Sequence, residues 1–423
     1  MANDIDTGLL TASSLPAGQR AYYEARLLEN LRTKSILVPF TVMKEDFKAR
    51  DTGQVVYTEV LDPASNWNPF TEDVIWLGGA HLDSRSVTIN LEIHGNVIKL
   101  SDYNELVNYW NNGDLRGLVD GKLGFNMVEH IDILARNAFM SHPHKLYAGT
   151  ATSRGALAKT DIFNPDMAEL ARVHLEENEV PGVNAPGDGD GKWIVCVTTP
   201  RVVHDIRTAA GSEWLDTTKY TTQRKFNSEA GSWGGVRFVK TNRCRMLNYG
   251  AVTAQNTLAS ATVPGQGAAQ TVDGAYTVGQ ATSVRTIPLV SAIDVSFAVG
   301  AYVTFHSQLL GAGGTPPIES DGTQETYRIV AVDSVGKTIS LNKPLMKAHA
   351  IGDYVTTGVP IHVSIFMGGP GVVYGVGERP HPVILPVIDD LGMIRRIAWR
   401  GFVKMQLFRP EMYEVVESSG TSN

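Results

Sequence analysis

Several short stretches carry residue types that could do chemistry. Asp188-Gly189-Asp190-Gly191-Lys192 begins like a calcium loop, in which spaced carboxylates give oxygen ligands to a hard cation. The third ligand position and the closing glutamate are missing, which favours a solvated turn. His142-Pro143-His144 sets two imidazoles close together, but no cysteine or carboxylate beside them completes a zinc set. Surface or interface histidines are the favoured reading. From Gly368-Gly369-Pro370-Gly371 to Gly377 the chain is glycine-rich after a strand. It lacks both the Gly-x-Gly-x-x-Gly spacing before a helix and a Gly-Lys-Ser/Thr ending, so a tight loop is expected rather than a phosphate cradle. Asp389 and Asp390 adjoin, yet successive strand residues face opposite ways, which makes a poor acid/base pair. Neither a Gly-x-Ser-x-Gly elbow nor a His-Glu-x-x-His pair occurs. The sequence therefore predicts no catalytic residue, no cofactor and no metal: not an enzyme. The cations Arg395, Arg396 and Arg400 lack an accompanying aromatic stacking motif, and a protein contact suits them better than nucleic acid.

The elements around these residues are those of a large packed protein. At 423 residues the chain exceeds the ~250 to 300 at which a single core stops growing, so several folding units are expected. Only 19% of residues are charged, below the ~25% usual in soluble domains. Much of the surface is therefore expected to lie in subunit contacts. A net charge of -7 argues against sequence-independent grip on nucleic acid, which depends on neutralising phosphates. Cys196 and Cys244 are too few for a disulfide scaffold and read as buried thiols of a reducing compartment. The acidic start Met1-Ala2-Asn3-Asp4-Ile5-Asp6 predicts no secretory signal, and no apolar run approaches the ~20 residues that span a bilayer.

Periodicity then places the elements. Tyr23, Leu27, Leu28 and Leu31 share a face behind Pro16, predicting an amphipathic helix. Gln54 to Leu61 reads as a strand, and Val87, Ile89, Leu91 and Ile93 alternate with polar residues as a second. Between them lie Pro63, Trp67, Pro69, Phe70 and Trp76, so the pair is expected to be either a long two-stranded arm whose aromatics need a partner surface or an ordinary hairpin lying on its own domain. A short helical stretch is expected near Asp102 to Trp110. Leu115, Leu118, Val119, Leu123, Met127, Val128, Ile131, Leu134 and Ala138 then predict one long helix from Asp114 to Phe139. Residues 150 to 250 alternate helix and strand signals. From 251 to 358 only short strands appear, suggesting a small inserted barrel or sandwich. Ile361 to Phe366 and Val383 to Ile388 flank the glycine-rich loop, and Ile394 to Phe408 predicts a long strand or a hairpin around Gly401.

This order, with the runs Lys99-Leu100-Ser101-Asp102-Tyr103, Thr326-Tyr327-Arg328-Ile329-Val330 and His362-Val363-Ser364-Ile365-Phe366, resembles the major capsid proteins of tailed bacteriophages. Their fold is the Hong Kong 97 type, and the phrasing looks most like the N-four-type podophage family. The resemblance implies an α+β subunit divided as follows: an N-terminal arm with its helix at 1-50, an extended loop at 51-100, and a peripheral domain with a spine helix at 101-149. An axial domain at 150-250 would return at 359-390 around an inserted β domain at 251-358. Peripheral strands and the C-terminus would fill 391-423.

It further implies a shell of pentamers and hexamers around double-stranded DNA, which is enclosed without sequence-specific binding, and no membrane. Scaffold and portal proteins are the implied partners, and a decoration protein an optional one. The chain would be assembled in the host cytoplasm and reside in the virion. Trp67, Phe70, Trp76, Arg85, Arg395 and Arg396 are the expected intersubunit contacts. Some relatives fasten the extended loop by a lysine-to-asparagine cross-link. Here no lysine lies between Lys48 and Lys99, so non-covalent fastening is expected. Two other readings compete: an encapsulin-like compartment shell, and a secreted β-rich carbohydrate-binding or carbohydrate-active protein.

Overall fold

A computed structural model describes residues 35–46, 53–60, 83–101, 115–184, 192–217, 226–259, 285–306, 325–343, 345, 349–385 and 394–420. The expected N-terminal helix, the helical stretch at 102 to 110, the aromatics Trp67, Phe70 and Trp76, the calcium-like turn, and Asp389 and Asp390 lie outside the described residues. The chain forms two units, 1–138 with 370–409 and 139–369 with 410–423.

In the first unit four strands run in the order Val42–Glu45, Val372–Leu385, Ile394–Leu407, Glu92–Ser101. The first pair is parallel and the others antiparallel. Gln54–Val60 and Ser84–Asn90 form a separate antiparallel ribbon. The alternating run through Val87 and Ile93 is thus two strands rather than one. Leu91 sits at the break, its N–H donating to Gly53 O, and Glu92 opens a strand in the other sheet. Ile89 and Leu91 are buried while Ile93 is 78% exposed. Period-two patterning reports which way side chains face but not which strand the backbone pairs with.

The ribbon's inner face packs Val55, Ile89 and Leu91 with Val373 and Phe408. Part of the partner surface expected to come from elsewhere therefore lies within its own unit. Gly375 stands in the strand Val372–Leu385, where an added Cβ would come within 3.3 Å of the side chains of Ile89 and Leu91. The glycine-rich stretch is consequently a strand from Val372 onward, and its glycine makes room for apolar neighbours. Gly401 is also no turn: it lies within the single strand Ile394–Leu407, its Cβ position 3.0 Å from Pro380.

The long helix spans Leu115–Met140. Leu123, Met127, Val128 and Ile131 are buried as their spacing predicts, but so are Asp132 and Arg136. Asp132 accepts from Ser35 Oγ at 2.5 Å and from the backbone N–H groups of Ile36 and Leu37 at 3.3 and 3.4 Å. A buried carboxylate is tolerable when donors surround it, and these donors tie the segment at 35–37 to the helix. Where the helix meets the strand Glu92–Ser101, His130 Nε2 and His94 Nδ1 are 3.1 Å apart. Burial, with a smaller effect of His94, pushes the His130 imidazole down to about 4. His94 is lowered too, mainly by burial.

In the second unit a nine-stranded sheet orders Leu146–Tyr147, Tyr413–Ser419, Ile361–Met367, Lys192–Thr198, Val236–Lys240, Glu229–Trp233 and Leu215–Asp216. Two short strands, Arg245–Met246 and Val183–Asn184, join it at Ile361–Met367 and Lys192–Thr198. Helices Pro165–Glu177 and Pro200–Ala210 contribute Ala168, Ala171, Leu175, Val202 and Ile206 to a core with Phe238, Phe366 and Val416. Asn164 caps the first helix through Oδ1, which accepts from Met167 N–H at 3.0 Å.

Every residue of Ile361–Met367 and of Tyr413–Ser419 is buried. These strands stand in a different sheet from Val372–Leu385 and Ile394–Leu407, with which the sequence reading grouped them at 359-390 and 391-423. Pattern alone marks such runs as buried strands without saying in which sheet.

A six-stranded antiparallel sheet orders Val252–Thr257, Tyr354–Gly358, Tyr302–His306, Glu325–Asp333, Thr338–Leu341 and Thr286–Pro288. Its ends meet: Ala259 N–H donates to Pro288 O at 3.1 Å and Val290 N–H to Thr257 O at 3.0 Å. The sheet thereby closes on Phe297, Val303, Phe305, Ile339 and Val355, which removes its free edges.

Burying the strand Tyr413–Ser419 takes Glu417 out of water. Arg154 answers it with two bonds, Nε to Oε2 at 2.8 Å and a terminal nitrogen to Oε1 at 2.5 Å. Replacing Arg154 by Met strands the carboxylate and should cost roughly 3–5 kcal/mol, read by chemical denaturation. Adding Glu417→Leu should recover most of that loss. A second test concerns pH. His130 is held neutral in the fold, so its contribution is intact above pH 6.5 and is lost as pH falls toward 4, by at most roughly 3 kcal/mol. In unfolding curves between pH 7 and 4.5, His130→Gln should flatten that decline; an unchanged slope would reject the assignment.

Candidate intersubunit surfaces

The ribbon alternates strictly: Val55, Tyr57 and Glu59 turn inward, while Val56 and Val60 are 51% and 62% exposed. Arg85 lies on its second strand with the guanidinium 4.8 Å over the Phe408 ring. Arg409 pairs with Glu59 beside it. The described contact of Arg85 is thus inside its own unit, where it covers the inner face.

On the strand Ile394–Leu407, Arg395 pairs through its backbone with Leu100, and Arg396 with Lys99 and Leu385. Arg396 and Arg400 share a face of the sheet, Arg396 half-buried and Arg400 exposed within reach of Glu378 at 3.4 Å. The neighbouring edge strand Glu92–Ser101 presents Ile93 and Val97 on that face, opposite Phe402 and Ala398. A mixed apolar and cationic face results, of the kind that proteins use in contacts.

The two histidines of His142-Pro143-His144 part company. His142, expected at a surface or an interface, is buried under the Tyr413 ring. Its Nδ1 accepts from His144 N–H at 3.1 Å and its Nε2–H donates to Pro410 O at 2.9 Å. The chain turns at the helix end and carries the ring inward, which no local pattern indicated. His144 stays exposed and lines an open cavity of about 290 Å³ with His174, Glu177, Asn178, Glu411 and Glu414. Sequence reasoning missed this cavity. Its only signal was a glutamate inside the apolar run Tyr413-Glu414-Val415-Val416.

Among the described residues no group of His, Cys, Asp and Glu could hold a metal ion. No described helix is long and apolar enough to cross a membrane. Cys196 and Cys244 are buried free thiols, and burial raises Cys196 well above its ordinary value.

Residues 135–322 match the family described as phage capsid protein. No curated protein sequence matches the chain. Among solved structures, the capsid of Ralstonia phage GP4 is similar over 90% of this chain and 88% of that one, at 14% identity and a TM-score of 0.55. The head of Helicobacter pylori bacteriophage KHP40 covers 92% and 91% at 10% identity and 0.45. An encapsulin from Synechococcus elongatus covers 92% and 88% at 8% identity and 0.41; scores at that level carry no weight. The likeness to the Ralstonia phage subunit shows an α+β fold of the Hong Kong 97 type. Residues 135–322 are thus similar to phage capsid proteins, within a chain that has the fold of such a subunit.

Proposed function

We propose that copies of this chain close an icosahedral shell, as pentamers and hexamers, around double-stranded DNA that they do not read. The observation that carries this is the capsid family match at 135–322. Exposed apolar residues on both the ribbon and the edge strand support it, since Val56, Val60, Ile93 and Val97 gain most when another copy covers them. A ring-forming subunit needs heterologous contacts that close at slightly different curvatures, and a ribbon with an exposed outer face spreads such contacts over neighbours.

In this reading 51-100 is the extended loop, whose aromatics Trp67, Phe70 and Trp76 dock on an adjacent subunit, with Arg85, Arg395 and Arg396 at the same boundaries. Residues 115-138 and 370-409 belong to the peripheral domain, 139-250, 359-369 and 410-423 to the axial domain, in keeping with the sheets their strands join, and 251-358 is an insertion. Scaffold and portal proteins accompany assembly in the host cytoplasm, a decoration protein is optional, and the chain is of the N-four-type podophage kind.

The net charge of -7 suits a container that must release its DNA. Fastening is non-covalent, in keeping with the absence of lysine between Lys48 and Lys99. Purified particles should be hollow shells hundreds of ångströms across by negative-stain microscopy, on the scale of known standard phage heads, and should protect double-stranded DNA from nuclease. After boiling in detergent, the chain should run as one band near 45.9 kDa. A covalent ladder would overturn the fastening, and enzyme cargo in place of DNA would turn the assignment to a protein compartment.

A further inference from the structure

Glu414 belongs to the buried strand Tyr413–Ser419 and is itself only 6% exposed. Neighbouring Val416 enters the core, but the Glu414 carboxylate lines the 290 Å³ cavity instead. Among the described residues its Oε1 has no hydrogen-bond partner. The nearest imidazoles, His144 Nδ1 at 3.9 Å from Oε1 and His174 Nδ1 at 3.8 Å from Oε2, stand beyond hydrogen-bond length. His142 is committed to backbone groups of His144 and Pro410. Glu177 and Glu411 add carboxylates to the wall, and no lysine or arginine is among the described residues lining it. A buried carboxylate left without donors is costly in an isolated subunit, so the cavity has the charge and the vacant acceptor of a half-built ion pair.

We propose that an arginine side chain from a second copy of this chain completes it, its guanidinium bonding Glu414 as the two subunits meet. Guanidinium is planar, weakly hydrated and able to grip both carboxylate oxygens, which suits a nearly buried acceptor better than a strongly hydrated ammonium. The occupant is a second copy because the shell reading supplies one at every subunit boundary, and the inference rests on that reading. The histidines flank the acceptor without satisfying it, which leaves the entrance open for a side chain coming from outside.

The test compares wild type with Glu414→Gln, by sedimentation of assembled shells and by melting of dissociated subunits. Gln keeps the shape and removes the charge. Subunits carrying it should melt at the same or a higher temperature, while the fraction found in shells falls at least tenfold. Glu177→Gln, on the cavity's exposed wall, should lower assembly less and leave melting unchanged, and it serves if Glu414→Gln does not fold. Wild-type yield of shells from Glu414→Gln, or no effect of Glu177→Gln when only that variant folds, would overturn the proposal. So would Glu414→Gln subunits that melt lower in step with their loss of assembly, since Glu414 would then merely hold the fold. Failure of the wild-type chain to form shells at all would instead defeat the capsid reading beneath it.

Discussion

A strand with both neighbours in place and all seven residues buried has no water to spare for its polar groups, and Tyr413–Ser419 carries two glutamates. The bidentate contact from Arg154 to Glu417 is what makes that burial tolerable. Burial by itself would lower the Arg154 guanidinium, but the hydrogen bond and charge of Glu417 outweigh it and hold it above its ordinary value. The pair also sets its surroundings. Lys145 is pushed down by burial and by the Arg154 charge, while burial and Glu417 raise the Tyr147 hydroxyl. Around it the backbone closes as well, with Ser419 N–H on Asp161 O and Ala148 N–H on Glu417 O. Parts of the chain far apart in sequence are thereby fixed to one strand.

Glu414 is the counterpart on the same strand. One carboxylate has its guanidinium within the subunit, and the other has none among the described residues. Both were placed by the same backbone pairing with Ile361–Met367, and alternation sends them to opposite faces. In the proposed shell a subunit has reason to leave one demand for charge open, because the contact that meets it then adds specificity as well as area.

The first unit solves its polar burial locally. Asp132 collects donors from 35–37, and the His94–His130 contact joins helix to sheet as two neutral rings. Trp399 Nε1–H and the Asn96 side-chain amide both donate to Asn126 Oδ1 at 3.1 Å, extending the same seam. The helix is thus held on the sheet by directional bonds as well as by its buried apolar residues, while the ribbon is held by apolar side chains, by the stacking of Arg85 and Tyr57 on Phe408 and by the Arg409–Glu59 pair. Apolar contacts tolerate small sliding better than hydrogen bonds do, which suits the proposed role of the ribbon.

Local patterning was enough to determine the kinds of element: the helix at Leu115–Met140, the alternating ribbon and the strands of the closed sheet. Those properties follow from side-chain periodicity and motif spacing, which are written along the chain. Only tertiary structure decided pairing. That Leu91 ends one sheet and Glu92 begins another, that Gly375 and Gly401 are close-packed strand positions instead of turns, and that His142 is buried while His144 is open all depend on residues distant in sequence. The same holds for Arg154 with Glu417, which are 263 positions apart. A charge in an apolar run shows in the sequence as an interruption; whether it is answered inside the fold or left for a neighbour is set by which strands the backbone brings beside it.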